Sequence, residues 1–345
     1  MHNSIFAKKK AANAAKTLIV KYLSAKIRQN LFSTLLSAPY IGVDVNGLSS
    51  LLSKVKATPL SLEELRITKH FIAKIENENI KWSRKRPRIE VKQIEGLEHW
   101  FQYNVAEELT DLLNLISEVE SENVRDFLKI VVSSIIVKVS NQESDTRFAA
   151  KQKDIKDNFV FRQFISRGME YIERVAKFSQ QADRDCFLRL LNADSRNLSM
   201  LEDNSIDIII TSPPYANTYD YYLYHQFRKR WLDIDVKFAR NNEIGSRREY
   251  SSLKKPAEQW TTDLKLCFAE MYRLIKKNGL AFIVIGDSVI KKQLIKIDEV
   301  ICGFVSEIGF EVCNIISSSL SEHSRMFNPT FTQKNKREHL IILRK

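Results

Sequence analysis

Glycine is scarce in this chain. Only nine of its 345 residues are glycine, and no two of them are separated by a single residue. A loop of closely spaced glycines, which lets a backbone approach a ligand tightly, is therefore missing from the sequence. The four cysteines (Cys186, Cys267, Cys302 and Cys313) lie far apart and form no Cys-x-x-Cys pair. They predict reduced, mostly buried thiols of a cytoplasmic protein, without a disulfide framework or a metal. The six histidines are scattered singly with no ligand spacing, which again argues against a metal site. No apolar run approaches the roughly 20 residues that span a bilayer, so no membrane partner is expected. Acid is absent from residues 1–43, which hold seven Lys or Arg. That stretch predicts a basic amphipathic helix with Leu18, Ile19, Tyr22, Leu23 and Ile27 on one side. An organellar transit peptide is the alternative reading, whereas a secretory signal is excluded by the missing apolar block and cleavage site.

What is present is positive charge. Fifty-four Lys and Arg against 42 Asp and Glu give a net charge of +12. Such a field attracts polyanions, of which nucleic acid is the commonest.

Three stretches differ in texture. Residues 1–60 hold the basic helix and then a short buried strand within residues 37–46. Residues 61–185 read as almost wholly helical. Leu109, Leu112, Leu113 and Ile116 repeat at helical spacing, as do Phe127, Val131, Ile135 and Ile136. Residues 140–147 are polar and read as a loop between helices. Inside the same block, Trp82 sits among Arg84, Lys85, Arg86 and Arg88, which suits phosphate contacts with one stacking residue. The competing reading is a solvated basic face with a core tryptophan. Residues 186–345 alternate strands and helices. Ile206 to Ile210 is a β-branched run that reads as a buried strand, residues 256–277 a helix stopped by Asn278-Gly279, and Leu280 to Ile285 the next buried strand. A helix over Ile297 to Ile308 and strands over 310–316 and 339–343 follow. Such alternation predicts an α/β fold with a mostly parallel sheet covered on both faces.

The run Ile206 to Ile210 leads directly into Thr211 and then Ser212-Pro213-Pro214-Tyr215. In doubly wound folds, ligands bind outside the carboxyl ends of strands, which puts this tetrapeptide in the active cleft. Consecutive prolines fix the backbone and remove two N–H donors, leaving a stiff turn of carbonyls and one hydroxyl. An exocyclic amine on a nucleobase is a poor nucleophile, because its lone pair is delocalised into the ring. A serine oxygen and a proline carbonyl accepting its two hydrogens would localise that lone pair for attack on a methyl sulfonium. The tyrosine face supplies a stacking surface for a base taken out of the duplex. A plain turn is the bland alternative, but it needs neither the strand before nor the aromatic after.

With Asn192, Ala193, Asp194, Ser195 and Arg196 upstream and Tyr219, Tyr221, Tyr222 and Tyr224 downstream, this segment resembles the amino-methyltransferases of bacterial restriction–modification systems. Those enzymes use S-adenosylmethionine and act on double-stranded DNA, in the bacterial cytoplasm or nucleoid. The Ser-Pro-Pro-Tyr form is more typical of the cytosine-N4 branch. Adenine-N6 is the runner-up, and an RNA amino-group methyltransferase a more distant one. The resemblance covers residues 191–345 well and extends to residues 40–46, which are similar to the family's second strand. It implies a Rossmann-like class I methyltransferase sheet with a helical insertion over residues 61–185 as candidate target-recognition region. It also implies that Asp44 binds the cofactor ribose, with Asn46 beside it, and that Asp194 lies near the adenine. Asp44 could instead simply end its strand, and Asp194 could cap the turn after it. Gly286-Asp287-Ser288 reads as a turn with an N-cap. The family's first strand and its Gly-rich loop, similar to Asp-Pro-Phe-x-Gly-Ser-Gly, have no counterpart here. A truncated gene, a split enzyme whose companion chain supplies the loop, and a non-catalytic DNA-binding relative all fit that gap.

If the charge serves DNA, duplex affinity should fall linearly on a log–log plot against salt, by roughly 0.9 per phosphate contacted. Alanine at Arg84, Lys85, Arg86 and Arg88 should flatten that slope. A fluorescence-anisotropy salt series on both proteins checks this, and an unaltered slope would leave the cluster a solvated face.

Overall fold

A computed structural model of the chain describes residues 40–345, apart from 83–89, 95, 146, 183–187, 218–219, 247, 249, 251–252, 254–255, 257, 291–292 and 320–335. The basic amphipathic stretch and Arg84, Lys85, Arg86 and Arg88 therefore lie outside the described residues. Trp82 is described only as the last backbone position of its helix.

The described chain forms two compact units, whose limits differ from the three sequence blocks. Among the described residues, one comprises those within 193–221 and 241–345, the other those within 40–192 and 222–240. In the first unit the strands are β5 (Ile206–Thr211), β6 (Ile275–Gly286), β9 (Glu311–Ser319) and β10 (Arg337–Arg344), in the order β5-β6-β10-β9. Strand β5 runs parallel to β6, whereas β10 is antiparallel to both β6 and β9. The expected mostly parallel sheet is thus a mixed one. Helices α10 (Glu258–Leu274) and α11 (Ile297–Ile308) contribute to the main core of this unit. Trp260, Leu264, Phe268, Ile301 and Phe304 from the helices join Ala281, Ile283, Ile285, Ile341 and Leu343 from the strands. The alternation of these strand positions is the period of two that turns one row of side chains to one face. The chain leaves α11 through Gly309 at φ 114°, where an added Cβ would meet the Tyr272 ring at 2.7 Å. A left-handed residue there ends the helix, as the sequence implied.

Two expectations for this unit need correction. The helix over 256–277 ends at Leu274, and Asn278-Gly279 lies inside β6 instead of stopping a helix. Asn278 has φ 65°, and the pairing with β5 jumps from Ile275 to Leu280, so the dipeptide makes a bulge. The run Ile206 to Ile210 is an edge strand and is not buried, with Ile208 and Ile210 about half exposed.

The second unit pairs β1 (Tyr40–Val43) in parallel with β4 (Leu188–Leu191). Between them run α1 (Gly47–Ala57), α2 (Leu62–Trp82), α3 (Leu97–Trp100), α4 (Tyr103–Ser117), α5 (Glu122–Val139) and α6 (Phe159–Gln181). Strand β1 is half-buried. The polar loop expected over 140–147 is a small hairpin, β2 (Gln142–Ser144) against β3 (Arg147–Ala150). The helical repeats do face the core, where Leu109, Leu112, Phe127, Val131, Ile135 and Ile136 join Phe161 and Phe164. Polar side chains tie the helix ends together. Glu64 accepts from Ser61 N while Ser61 Oγ accepts from Glu64 N, a capping box at the start of α2. The other Glu64 oxygen accepts from Ser121 and Asn123 at the start of α5. Buried Glu108 likewise accepts from Asn158 N and Val160 N (3.0 Å), neutralising the positive end of α6.

Three short helices, α7 (Tyr221–Tyr224), α8 (Gln226–Trp231) and α9 (Val236–Asn242), follow the Ser-Pro-Pro-Tyr segment. Arg228 of α8 is buried, donates to Ser133 O at 2.9 Å, pairs with Asp145, and lies 2.7 Å from His225 Nδ1. Burial first, and then the Arg228 charge, push the His225 imidazole down to about 4. The native state therefore stays neutral where an unfolded histidine near 6.5 takes a proton. Stability should be lost as the pH falls from about 6.5 towards 4, by up to about 3 kcal/mol from this group. Urea unfolding at a series of pH values, compared with His225→Gln, should show that increment only in the parent protein.

Candidate active site

Strand β5 delivers Ser212-Pro213-Pro214-Tyr215 at its carboxyl end, and the turn is built as an acceptor surface. Its second proline carbonyl is already engaged, because the buried Trp260 indole N–H donates to Pro214 O at 3.0 Å. Among the described residues, neither Ser212 Oγ nor Pro213 O has a protein partner, and Ser212 is exposed. Of the two proline carbonyls that the sequence offered, the structure thus leaves Pro213 O to pair with Ser212 Oγ. Tyr215 hydroxyl donates to Glu338 Oε1 at 3.2 Å, and its ring edge lies 3.7 Å from the place a Cβ would occupy on Gly286. The ring is therefore oriented by β10 and by the end of β6. Just beyond, Asn217 takes φ 55° while its N–H donates to Gly245 O and its amide to Val289 O. The motif is tied down on both sides.

Asp194 lies in the same unit, in the segment after β4. Its Oδ1 accepts from Arg196 N at 2.9 Å, so it caps its own turn. Both carboxylate oxygens also take the Arg196 guanidinium, at 2.7–3.0 Å. Arg196 reaches on to Asp263 of α10 at 2.8 Å, and these two acids raise its pKa. Glu270 of α10 accepts from Leu198 N, and Arg273 donates to Leu198 O and Leu201 O. One helix face thus clamps the loop. Nearby Cys267 is pushed up to about 12 by burial and by Asp194, so its thiol stays protonated.

The second unit holds the other predicted acid. Asp44 N donates to Leu191 O and Asp44 O accepts from Asn192 Nδ2 at 2.8 Å, so its backbone is fixed by β4. Its carboxylate accepts from Asn46 N at 2.8 Å and still reaches solvent. Desolvation raises its pKa, against lowering by that N–H, by Ser49 and by the charge of Lys229. A carboxylate so placed, at the carboxyl end of a parallel strand, fits a vicinal diol. Asn46 is buried and its Oδ1 accepts from Leu48 N, which makes it the N-cap of α1. Gly47 is required by close approach, since a Cβ there would stand 2.8 Å from Ile234. Lys229 of α8 is fully buried in this unit.

Asp287 closes the turn after β6 by accepting from Ile297 N, the first residue of α11, and from Arg337 N. Asp287, Asp298 and His339 are, among the described residues, spaced closely enough to hold a metal. The imidazole is engaged on both sides, by Asp287 at 3.1 Å and Ser317 at 2.8 Å, as in a satisfied buried histidine. Trp260, Glu338 and Asp263 escaped sequence reading. Each acts on a partner 46 or more residues away in the chain, which no local spacing marks.

Residues 206–345 match the family described as DNA methylase, of the N6/N4 type. The Type II methyltransferase M.MvaI of Kocuria varians is 25% identical over 217 residues, which cover 56% of this chain and 46% of that protein. The chain thus spans about half the length of that relative. Among solved structures, a Thermus thermophilus protein described as a putative DNA modification methylase, complexed with S-adenosyl-L-methionine, is 21% identical. The match covers 44% of this chain and 53% of that one, with a TM-score of 0.28. A SAM-dependent methyltransferase from Methanosarcina mazei matches at 10% identity over 50% of this chain and 76% of that one, with a TM-score of 0.25.

Loss of the clamp should be measurable as stability. Arg196→Met leaves Asp263, only 4% exposed, without its counter-charge. Removing one partner of a buried pair costs about 3–5 kcal/mol, and partial exposure of the arginine brings the expectation to about 2–3. Arg196→Lys, which keeps charge but loses the fork, should fall between. Urea unfolding of the three proteins checks the order.

Proposed function

We propose that this chain, whose residues 206–345 match the N4/N6 DNA methylase family, is the catalytic part of an S-adenosylmethionine-dependent DNA amino-methyltransferase. The observation that carries the reading is the acceptor pair at the end of β5. Trp260 occupies the carbonyl of Pro214, so Ser212 Oγ and Pro213 O remain to receive the two hydrogens of one exocyclic amine. Accepting both hydrogens draws electron density back onto the nitrogen. Tyr215, aligned by Glu338, offers its ring as the platform on which an extruded base stacks. Bound S-adenosylmethionine supplies an electrophilic methyl group. With its hydrogens held by Ser212 Oγ and Pro213 O, the amine nitrogen would take that methyl group from the sulfonium, leaving a neutral thioether, and would shed one proton by way of Ser212 Oγ to water. No base has to be ionised beforehand.

Asp44 holds the ribose hydroxyls in this reading, and the Asp194 turn flanks the adenine. Asn46 acts beside Asp44 by capping α1. The Ser form of the motif favours cytosine N4 over adenine N6. DNA is the polyanion that the +12 charge addresses, with Trp82 and its neighbouring arginines as the recognition candidates. A second reading, a DNA-binding chain that depends on a companion for catalysis, is favoured by one observation. Nothing in the 345 residues offers glycines spaced to receive the methionine end of the cofactor.

Ser212→Ala and Tyr215→Ala should each lower methylation on the order of 10²-fold or more while duplex affinity changes little, since phosphate contacts dominate binding. Nucleoside analysis of DNA from cells expressing the parent and the variants checks this. It also separates N4-methylcytosine from N6-methyladenine. Undiminished methylation in both variants would sink the assignment.

A further inference from the structure

The end of β6 and the start of β10 are joined by an unusual pair. Antiparallel register sets Glu338 opposite Gly286 and His339 opposite Ile285, so the residue facing Arg337 is Asp287. Opposed residues of an antiparallel ladder that are hydrogen-bonded normally exchange two main-chain bonds. Here Asp287 N donates to Arg337 O at 2.9 Å, but the return bond from Arg337 N, also 2.9 Å, goes to the side chain of Asp287, at Oδ2. The carboxylate takes the place of its own carbonyl, and the chain turns out of β6 while still holding β10. Its other oxygen, Oδ1, accepts from Ile297 N at 3.1 Å and lies 3.1 Å from His339 Nε2. Asp287 and His339 are 5% and 2% exposed, so this hub is closed to solvent.

The residue between Arg337 and His339 faces the other way. Side chains alternate along a strand, which turns Glu338 to the face opposite His339 and puts it beside its cross-strand neighbour Gly286. There the Tyr215 ring lies 3.7 Å from the place of a Cβ on Gly286, and its hydroxyl donates to Glu338 Oε1 at 3.2 Å. Glu338 forms no ion pair among the described residues, and the tyrosine is its side-chain partner there. A phenol ring turns freely about its last torsion unless its far end is tied, and stacking needs one fixed plane. Gly286 leaves room for the ring, and Glu338 ties it.

We propose that Asp287 is a positioning residue for methyl transfer, which fixes Arg337 and His339 from the buried face and thereby sets Glu338 and the Tyr215 ring on the other. That the ring serves a base rests on the methyltransferase reading; that Asp287 and Glu338 fix the ring does not.

The test follows the ring itself, on the full chain labelled with carbon-13 in its tyrosine rings. Tyr215→Phe removes one of eleven tyrosine signals and so assigns it. That signal should shift in Glu338→Ala and lie close to its parent position in Glu338→Gln, whose amide oxygen still accepts. Asp287→Asn keeps the size but has one acceptor oxygen where two are used, and should shift the signal as Glu338→Ala does. Amide signals of β6 and β10 report whether each variant is folded. If Asp287→Asn is not, Arg337→Pro carries that arm, because at the first residue of a strand it deletes the N–H that Asp287 receives. Nucleoside analysis of DNA from expressing cells reads the function. Asp287→Asn and Glu338→Ala should each lower methylation about tenfold, the scale of one hydrogen bond, and the double variant no further. Glu338→Gln should restore most of that loss. A ring signal unmoved in Asp287→Asn and Arg337→Pro, undiminished methylation in Glu338→Ala beside an active parent, or a further fall in the double variant would each overturn the proposal. A parent that leaves no methylated nucleoside, with ring signals moving as expected, sinks the methyltransferase reading and leaves the positioning of the ring standing.

Discussion

Two consecutive prolines after β5 can accept hydrogen bonds but cannot donate them, and the chemistry of the turn follows from that asymmetry. A backbone with no N–H to offer must find donors elsewhere for its carbonyls or leave them to a ligand. Trp260 supplies one donor from α10 and stops there. The same helix carries Asp263, Glu270 and Arg273, which fasten residues 194–201. One face of one helix therefore sets both the acceptor turn and the loop that bears Asp194. Its apolar side, through Leu264 and Phe268, belongs to the core against β6 and β10.

In the other unit a comparable economy holds Asp44. The parallel pairing of β1 with β4 continues one residue past the strands, through Asp44 N to Leu191 O and Asn192 to Asp44 O. Asn46 and Gly47 then start α1 at once, with no room for a Cβ beside Ile234. That residue is reached just after α8, whose Lys229 lends positive charge to the Asp44 carboxylate. The segment following Ser-Pro-Pro-Tyr in sequence thus folds with the unit that carries the ribose candidate.

Much of this was legible in the residues, and the exceptions have physical causes. Helical spacing found the buried faces of α4 and α5, because period 3.6 survives in a long amphipathic run. The strand before Ser212 was found too, but its burial was overestimated. A β-branched run looks the same whether one edge or both edges are paired. Asn278-Gly279 misled because the dipeptide satisfies a helix stop and a bulged strand equally well, and only pairing with β5 decides. The antiparallel placement of β10 is a long-range choice that no local pattern encodes. Asp44 and Asp194 were singled out through the family resemblance, not by any local pattern. That Asp194 shares the Arg196 guanidinium with Asp263 depends on α10, 67 residues further along the chain.

The perturbed groups sharpen the argument about chemistry. Depressed or raised pKa values often mark catalytic acids and bases. Apart from Arg196 and Arg273, raised by their acidic partners, the large shifts fall on His225, engaged with Arg228, and on Cys267, beside the Asp194–Arg196 pair, and both of these are held neutral by burial. Neither offers a general base to the Ser212 turn. Proton abstraction before bond formation would demand such a base. Transfer to an amine whose hydrogens are already held by two oxygens does not, since the proton becomes acidic only once the nitrogen carries the new bond. A site of this kind is built from carbonyl geometry, so its signature is an arrangement of acceptors and an aromatic face, which is what the end of β5 displays.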